Sequence, residues 1–245
     1  MKRRIATALW TALGTHPRLF PWYVRLKDAA AGGNVARRLL FGRDTELVIE
    51  GYPRSANTYA VVAFELAQPR PVRVAHHLHA ASQIVNAAKA RRPVMVLIRN
   101  PREAVASLAI RSPEWSLPAA LRFYIRFHRA VVPALENCFV APYASVIGQY
   151  DVVIEELNRK FGTAFTVPPN NAQFVEKCFR RIDEIDRRTS PGGGSPTTVA
   201  RPSADRTEAK LDMMDRLREP RHRAILTEAE DLFHRCLASP SVPGV

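Results

Sequence analysis

Residues 93–98 read PVMVLI, an apolar run with no polar face that stops at Arg99, Asn100 and Pro101. A strand wet on one side alternates apolar and polar side chains, because successive residues point to opposite faces. A run that is apolar throughout suits a strand covered on both sides, as in a parallel sheet between helices. Residues 46–52 (ELVIEGY), 72–78 and 138–146 read as further strands. Helices are expected at 58–67, 80–90, 101–110, 117–135 and 152–161, so strand and helix alternate. The alternation predicts a three-layer α/β fold with a central parallel sheet flanked by helices. Ligands in such sheets sit off the carboxyl ends of the strands.

Helical extensions are expected at both ends. Residues 1–44 read as a basic helical accessory segment broken at Pro17, Pro21 and Gly32-Gly33. The domain proper spans 45–237, with a mobile Ser/Pro/Gly-rich loop at 189–203 and helices at 204–217 and 221–237. Residues 238–245 form a flexible tail. At 245 residues and 47% apolar, the chain has the composition of one globular domain.

Charge is the unusual feature. Lys and Arg number 36 against 23 Asp and Glu, for a net +13, and most of the cations are Arg. The planar guanidinium matches phosphate and sulfate bidentately. A nucleic acid, an anionic membrane and a polyanionic small ligand all remain compatible with that excess. Cys138, Cys178 and Cys236 are odd in number and widely spaced, which supports neither a disulfide framework nor a zinc knuckle and suits a reducing cytoplasm. The apolar stretch 5–14 follows a basic start but is too short to span a bilayer and carries no clear cleavage site. Three readings of this segment stand: an accessory piece folded onto the domain, an interfacial anchor giving peripheral contact with the inner face of the membrane, or a cleaved leader.

Two strand-to-helix junctions carry the chemistry. The first reads Gly51-Tyr52-Pro53-Arg54-Ser55-Ala56-Asn57-Thr58-Tyr59. Small and polar residues there let backbone N–H groups and a helix N-terminus face an anion, with Arg54 adding a full charge. An ordinary capped turn would use the same residues. The loop lacks the Gly-x-x-x-x-Gly-Lys-Ser/Thr pattern of nucleoside triphosphatases, which weakens a kinase reading. The second junction reads Arg99-Asn100-Pro101-Arg102-Glu103, with Ser107 about two turns on. Asn100 as cap, Pro101 at the first helical position and Glu103 at the third explain the local structure without a ligand. They leave Arg99 and Ser107 unexplained, and those two can converge on a second phosphate.

Together the junctions resemble the signatures of the sulfotransferase superfamily that uses 3′-phosphoadenosine 5′-phosphosulfate (PAPS). The resemblance runs over about residues 45–165, with Ala56, Tyr59 and Glu103 standing where the family usually has Gly, Trp and Asp. It implies a P-loop-like fold and transfer of a sulfuryl group from PAPS to an acceptor hydroxyl or amine, leaving 3′-phosphoadenosine 5′-phosphate (PAP), without a metal. By the same resemblance Arg54, Ser55, Ala56, Asn57 and Thr58 bind the 5′-phosphosulfate, with Arg54 also catalytic. Tyr59 offers a face to the adenine, and Arg99 and Ser107 hold the 3′-phosphate. Tyr143 lies near the purine, and Arg201 closes over the 3′-phosphate, with Arg206 and Lys210 as rivals. His77 is implied as general base through the pair His77-Leu78, with Glu114 as fallback. Strand alternation would put His77 and His79 on one face and His76 on the other. Zinc held by these histidines lacks a third ligand nearby. The resemblance allows saccharides, lipid-linked sugars, phenols and small alcohols as acceptor, and the basic, aromatic N-terminus and residues 117–135 could border a carbohydrate or lipid-linked sugar. The alternatives, a nucleic-acid or membrane-surface module or a P-loop-like kinase, belong to other classes; scattered Arg without interleaved aromatics speaks against nucleic acid as partner.

Overall fold

The computed structural model describes residues 2–189 and 205–239. In chain order it holds α1 (Lys2–Leu13), α2 (Leu19–Ala30), α3 (Val35–Leu39), β1 (Leu47–Gly51), α4 (Asn57–Ala67), β2 (Val74–His76) and α5 (Ala81–Lys89). Then come β3 (Val94–Ile98), α6 (Pro101–Arg111), α7 (Leu117–Val131), β4 (Phe139–Pro142), α8 (Tyr143–Gly148), α9 (Tyr150–Phe161), α10 (Ala172–Thr189), α11 (Asp205–Leu217) and α12 (Arg223–Leu237). The fold is α/β, with one four-stranded sheet of order β2-β1-β3-β4, parallel throughout.

That strand order places the site. The chain leaves β1 toward β2 on one side and leaves β3 toward β4 on the other, so the topological switch point lies between β1 and β3. Right-handed crossovers then put α4 on one face and α5, α6 and α7 on the other. Two cores follow. Leu47, Ile49, Met95 and Leu97 pack against α4, α9 and α10. Val48, Val96 and Ile98 pack against α5, α6, α7 and α12. All five residues of β3 are buried, as its apolar sequence demands. Gly51 ends β1 beside β3 so closely that an added Cβ would lie 2.4 Å from the carbonyl oxygen of Leu97, and only glycine fits.

Several elements depart from the sequence reading. Helix α2 runs through Pro21, which sits in its first turn, where the missing N–H has no intrahelical partner to lose. Strand β2 has three residues rather than seven. Helix α7 stops at Val131, and Pro133 turns the chain into a 3₁₀ segment, Val132–Asn137. The fourth strand stops at Pro142 and hands over at once to α8. Helix α10 was not anticipated, although Phe174, Cys178, Ile182 and Ile185 recur at helical spacing and pack on the core behind α4. The loop at 189–203 falls almost wholly outside the described residues, as does most of the tail.

The N-terminal helices lie against the domain. Trp10 Nε1 donates to the Leu78 carbonyl at 2.9 Å, Asn86 Nδ2 to the Pro17 carbonyl at 2.8 Å, and the Ser82 amide to the Gly14 carbonyl at 2.8 Å. Phe20, Val24 and Leu40 share a small core with Leu78 and Ala80.

Candidate anion and transfer site at the switch point

The first junction leaves β1 under strain. Arg54 has φ 71° and Ala56 φ 67°, both in the left-handed region that costs a residue with a Cβ about 1–2 kcal/mol. Alternating handedness of this kind turns successive N–H groups toward one side, a concave arrangement suited to an anion. Ala56 keeps the left-handed geometry that glycine would take more easily, at the N-cap of α4, and gives no side-chain cap. Tyr52 pins the loop from below: its hydroxyl donates to the Ala120 carbonyl at 3.0 Å and its ring packs on Phe123 and Tyr124. Asn57 Nδ2 donates to the Tyr52 carbonyl at 3.0 Å. Yet Ser55 Oγ and Asn57 Oδ1 are buried with no hydrogen-bond partner among the described residues. Orphaned buried polar atoms cost about 1–3 kcal/mol each, so a bound group or water that meets these two would be favoured.

The second junction is satisfied from within. Asn100 accepts from the Arg102 amide at 3.0 Å, and Pro101 opens α6. Arg99 donates through Nε and Nη2 to Glu103 Oε2 at 3.1 and 2.8 Å, and its guanidinium lies 3.9 Å from the centre of the Tyr143 ring. Lys210 from α11 reaches the same carboxylate oxygen at 3.2 Å. Partial burial pushes the Glu103 carboxyl up, but Arg99 and Lys210 outweigh it and hold the group below its ordinary value.

The two junctions meet. Arg99 Nη1 donates to the Arg54 carbonyl at 2.8 Å, and Arg54 Nε donates to Ser107 Oγ at 3.0 Å. Sequence positions 54, 99 and 107 therefore form one constellation at the carboxyl ends of β1 and β3. Ser107 joins it through Arg54, while Arg99 turns to Glu103 and Tyr143. Of the three late cations, Lys210 is placed at Glu103; Arg201 lies outside the described residues, and the Arg206 side chain is likewise not described. Tyr59 departs from expectation: its ring is 5% exposed, enclosed beside Tyr150 and Phe179, and offers no open face to a purine. The cause is helix phase, since Tyr59 falls on the face of α4 that packs against α10.

His76 ends β2, and His77 and His79 lie in the bend that follows it. His77 and His79 have φ of 59° and 50°, so strand alternation does not set their directions. Both nitrogens of His77 are engaged: Nδ1 lies 2.5 Å from His76 Nδ1, and Nε2 lies 3.1 Å from Thr58 Oγ1. His79 Nδ1 sits 2.9 Å from the Gly51 carbonyl, an acceptor only, so Nδ1 carries the proton and Nε2 keeps its lone pair. Burial pushes all three imidazoles down. His76 falls to about 4, His77 lies well below the usual range, and His79 falls to about 4 with Arg54 and Arg111 adding to the effect.

One residue here was missed by sequence reasoning. Glu50 is fully buried, and its carboxylate accepts from the amides of Leu78 (3.0 Å) and Gly51 (3.2 Å) and from Gln83 Nε2 (3.1 Å), 3.6 Å from His79 Nδ1. It ties the histidine turn to β1, and burial pushes its carboxyl up to about 7. A charge set directly after the apolar residues Leu47-Val48-Ile49 was the available signal.

No family model matches the chain, and no curated protein does. Among solved structures, it is similar to the mouse sulfotransferase SULT7A1 complexed with PAP. The two align over 78% of this chain and 84% of that one, at 11% identity and a TM-score of 0.42.

A cavity of about 460 Å³ opens between α1, the 112–116 link and α7, with Thr11, Glu114, Trp115, Arg122, Phe123 and Arg126 on its walls. Trp115 stacks on Phe123, and Phe123 touches Tyr52 of the first junction. Glu114 thus stands at this cavity, and no hydrogen bond or ion pair joins it to the histidine turn. Among the described residues, no cluster of three or more His, Cys, Asp or Glu is placed to hold a metal ion.

Proposed function

We propose that the chain transfers a sulfuryl group from PAPS to an acceptor hydroxyl or amine. The observation that carries this reading is the joining of the two junctions through Arg54, Arg99 and Ser107, with the Ser55 hydroxyl buried and unspent beside them. The residues fit the co-substrate: the loop amides, Ser55 and Thr58 would meet the 5′-phosphosulfate, and Arg99 with Ser107 the 3′-phosphate. PAPS supplies an activated sulfuryl group as a mixed anhydride. Arg54 neutralises charge gathering on the leaving phosphate oxygen as the S–O bond breaks, and its placement in advance is what makes such a cation effective. The acceptor atom bonds to sulfur and gives its proton to a neutral imidazole.

The geometry favours His79 for that proton, through Nε2, which has no hydrogen-bond partner among the described residues. His77, the residue the resemblance implies, can serve only when its Nε2 parts from Thr58. The cavity beside Trp115, with a flat aromatic wall and two arginines, supports a carbohydrate or lipid-linked sugar as acceptor. The test is thermal unfolding with PAP. Wild type should gain melting temperature at saturating PAP, and Arg54→Ala or Arg99→Ala should lose the gain. An unmoved wild-type melting temperature at saturation would overturn the reading.

A further inference from the structure

Helix α2 presents two faces. Phe20 and Val24 are buried in the small core with Leu78 and Ala80. Leu19, Trp22 and Leu26, spaced three and four residues apart, form a stripe on the opposite face and are 54%, 64% and 53% exposed. Three large apolar side chains in a row, centred on a tryptophan, are more than scattered surface residues.

The charge around the stripe decides what covers it. Residues 1–44 hold nine Lys or Arg against two Asp, so seven of the chain's thirteen net positive charges lie in this segment. Helical phase sets Arg18 and Arg25 on one flank of the stripe and Lys27 on the other. Among the described residues Arg18 and Arg25 make no ion pair, and Lys27 lies over the Trp10 ring at 5.1 Å. Apolar residues bordered by long cations suit the boundary of an anionic bilayer, where the rings and leucines enter the acyl edge and the cations meet the headgroups. A second copy of this chain fits poorly, because both surfaces would be positive and three side chains fall short of the ~800 Å² per partner of a stable interface. No described helix is long and apolar enough to cross a membrane, and the 12 residues of α2 span about 18 Å, so the helix would lie in the interface.

We propose that α2 docks the protein on an anionic membrane surface, with Leu19, Trp22 and Leu26 inserted and Arg18 and Arg25 facing lipid phosphates or carboxylates. This does not depend on the proposed reaction.

The test is flotation of the full chain with phosphatidylcholine vesicles, with and without phosphatidylserine. Wild type should float with the anionic vesicles and not with the neutral ones. Leu19→Ser/Trp22→Ser/Leu26→Ser should weaken that association at least about tenfold, given the apolar area withdrawn. Arg18→Gln/Arg25→Gln should weaken it about fivefold per charge removed. Circular dichroism melting confirms that each variant is folded. Brominated lipid should quench wild-type fluorescence, and Trp22→Phe should remove most of the quenching, a readout independent of the triple variant's folding. Wild type that stays unbound, a folded triple variant that floats like wild type, or quenching that survives Trp22→Phe would overturn the proposal. So would a stripe-dependent dimer in light scattering without vesicle binding.

Discussion

The junctions after β1 and after β3 do the same topological job and are built in opposite ways. The β3–α6 junction obeys local rules: a capping Asn100, Pro101 at the helix start and Arg99 paired with Glu103. The β1–α4 junction breaks them, with two left-handed residues bearing side chains, an uncapped helix start and two buried oxygens without partners. Strain that survives in a fold marks a place where something other than stability is being served. In the proposed reaction the strained junction would take the reacting end of the ligand and the relaxed one would anchor it.

The largest effect should appear where the open junction meets the histidine turn. His79→Asn should lower kcat by about 10²–10⁴-fold, the range for loss of a general base, while His77→Asn should cost less. PAP affinity should change little in either. Steady-state kinetics with PAPS would show which imidazole matters, and a larger loss for His77→Asn would reverse the assignment. With the His79 imidazole pushed down to about 4, the acid limb of kcat/KM should lie well below the ordinary histidine value of 6.5.

Next comes Glu50, which braces that turn from the open junction. Its folded pKa near 7 exceeds its unfolded value of 4.5, so its contribution is intact below about pH 4.5 and is lost as pH rises toward 7. Glu50→Gln removes this pH dependence. The stability of the Gln variant relative to wild type should therefore climb between pH 4.5 and 7, by on the order of 3 kcal/mol. Denaturant unfolding across that range checks the sign. The wild type also carries an opposite trend from His76, His79 and His128, each pushed down to about 4, whose contribution fades as pH falls from 6.5. The comparison between variant and wild type isolates Glu50 from it.

The smallest effects sharpen the contrast itself. Ala56→Gly should relieve the left-handed backbone and stabilise the fold by roughly 0.5 kcal/mol, after the entropy that glycine adds to the unfolded chain. Asn100→Ala should destabilise it by about 1 kcal/mol through loss of a cap. Opposite signs in one thermal-unfolding experiment would show that one junction is strained and the other relaxed.

Much of this was legible because it is local. The apolar run at 94–98 announces a buried strand, and Asn100-Pro101 announces a helix start. The residues of the first junction are equally plain as a short stretch. What stayed hidden depends on phase and tertiary contact. Tyr59 was expected to face a purine, but one helical turn decides its direction, and α10 covers it. Glu50 was invisible as a brace because its partners, Leu78 and Gln83, are 28 and 33 residues away. The histidine turn was misread because a three-residue strand cannot carry alternation past His76.

The most direct test of a two-ended grip is calorimetric titration with PAP and with adenosine 5′-phosphate, which lacks the 3′-phosphate. Wild type should prefer PAP by at least about 10²-fold, in keeping with charge-assisted bonds from Arg99 worth some 1.5–3 kcal/mol each. Arg99→Ala should bring the two ligands to similar affinity. Equal binding of both nucleotides by wild type, or a preference for PAP that survives Arg99→Ala, would contradict the account.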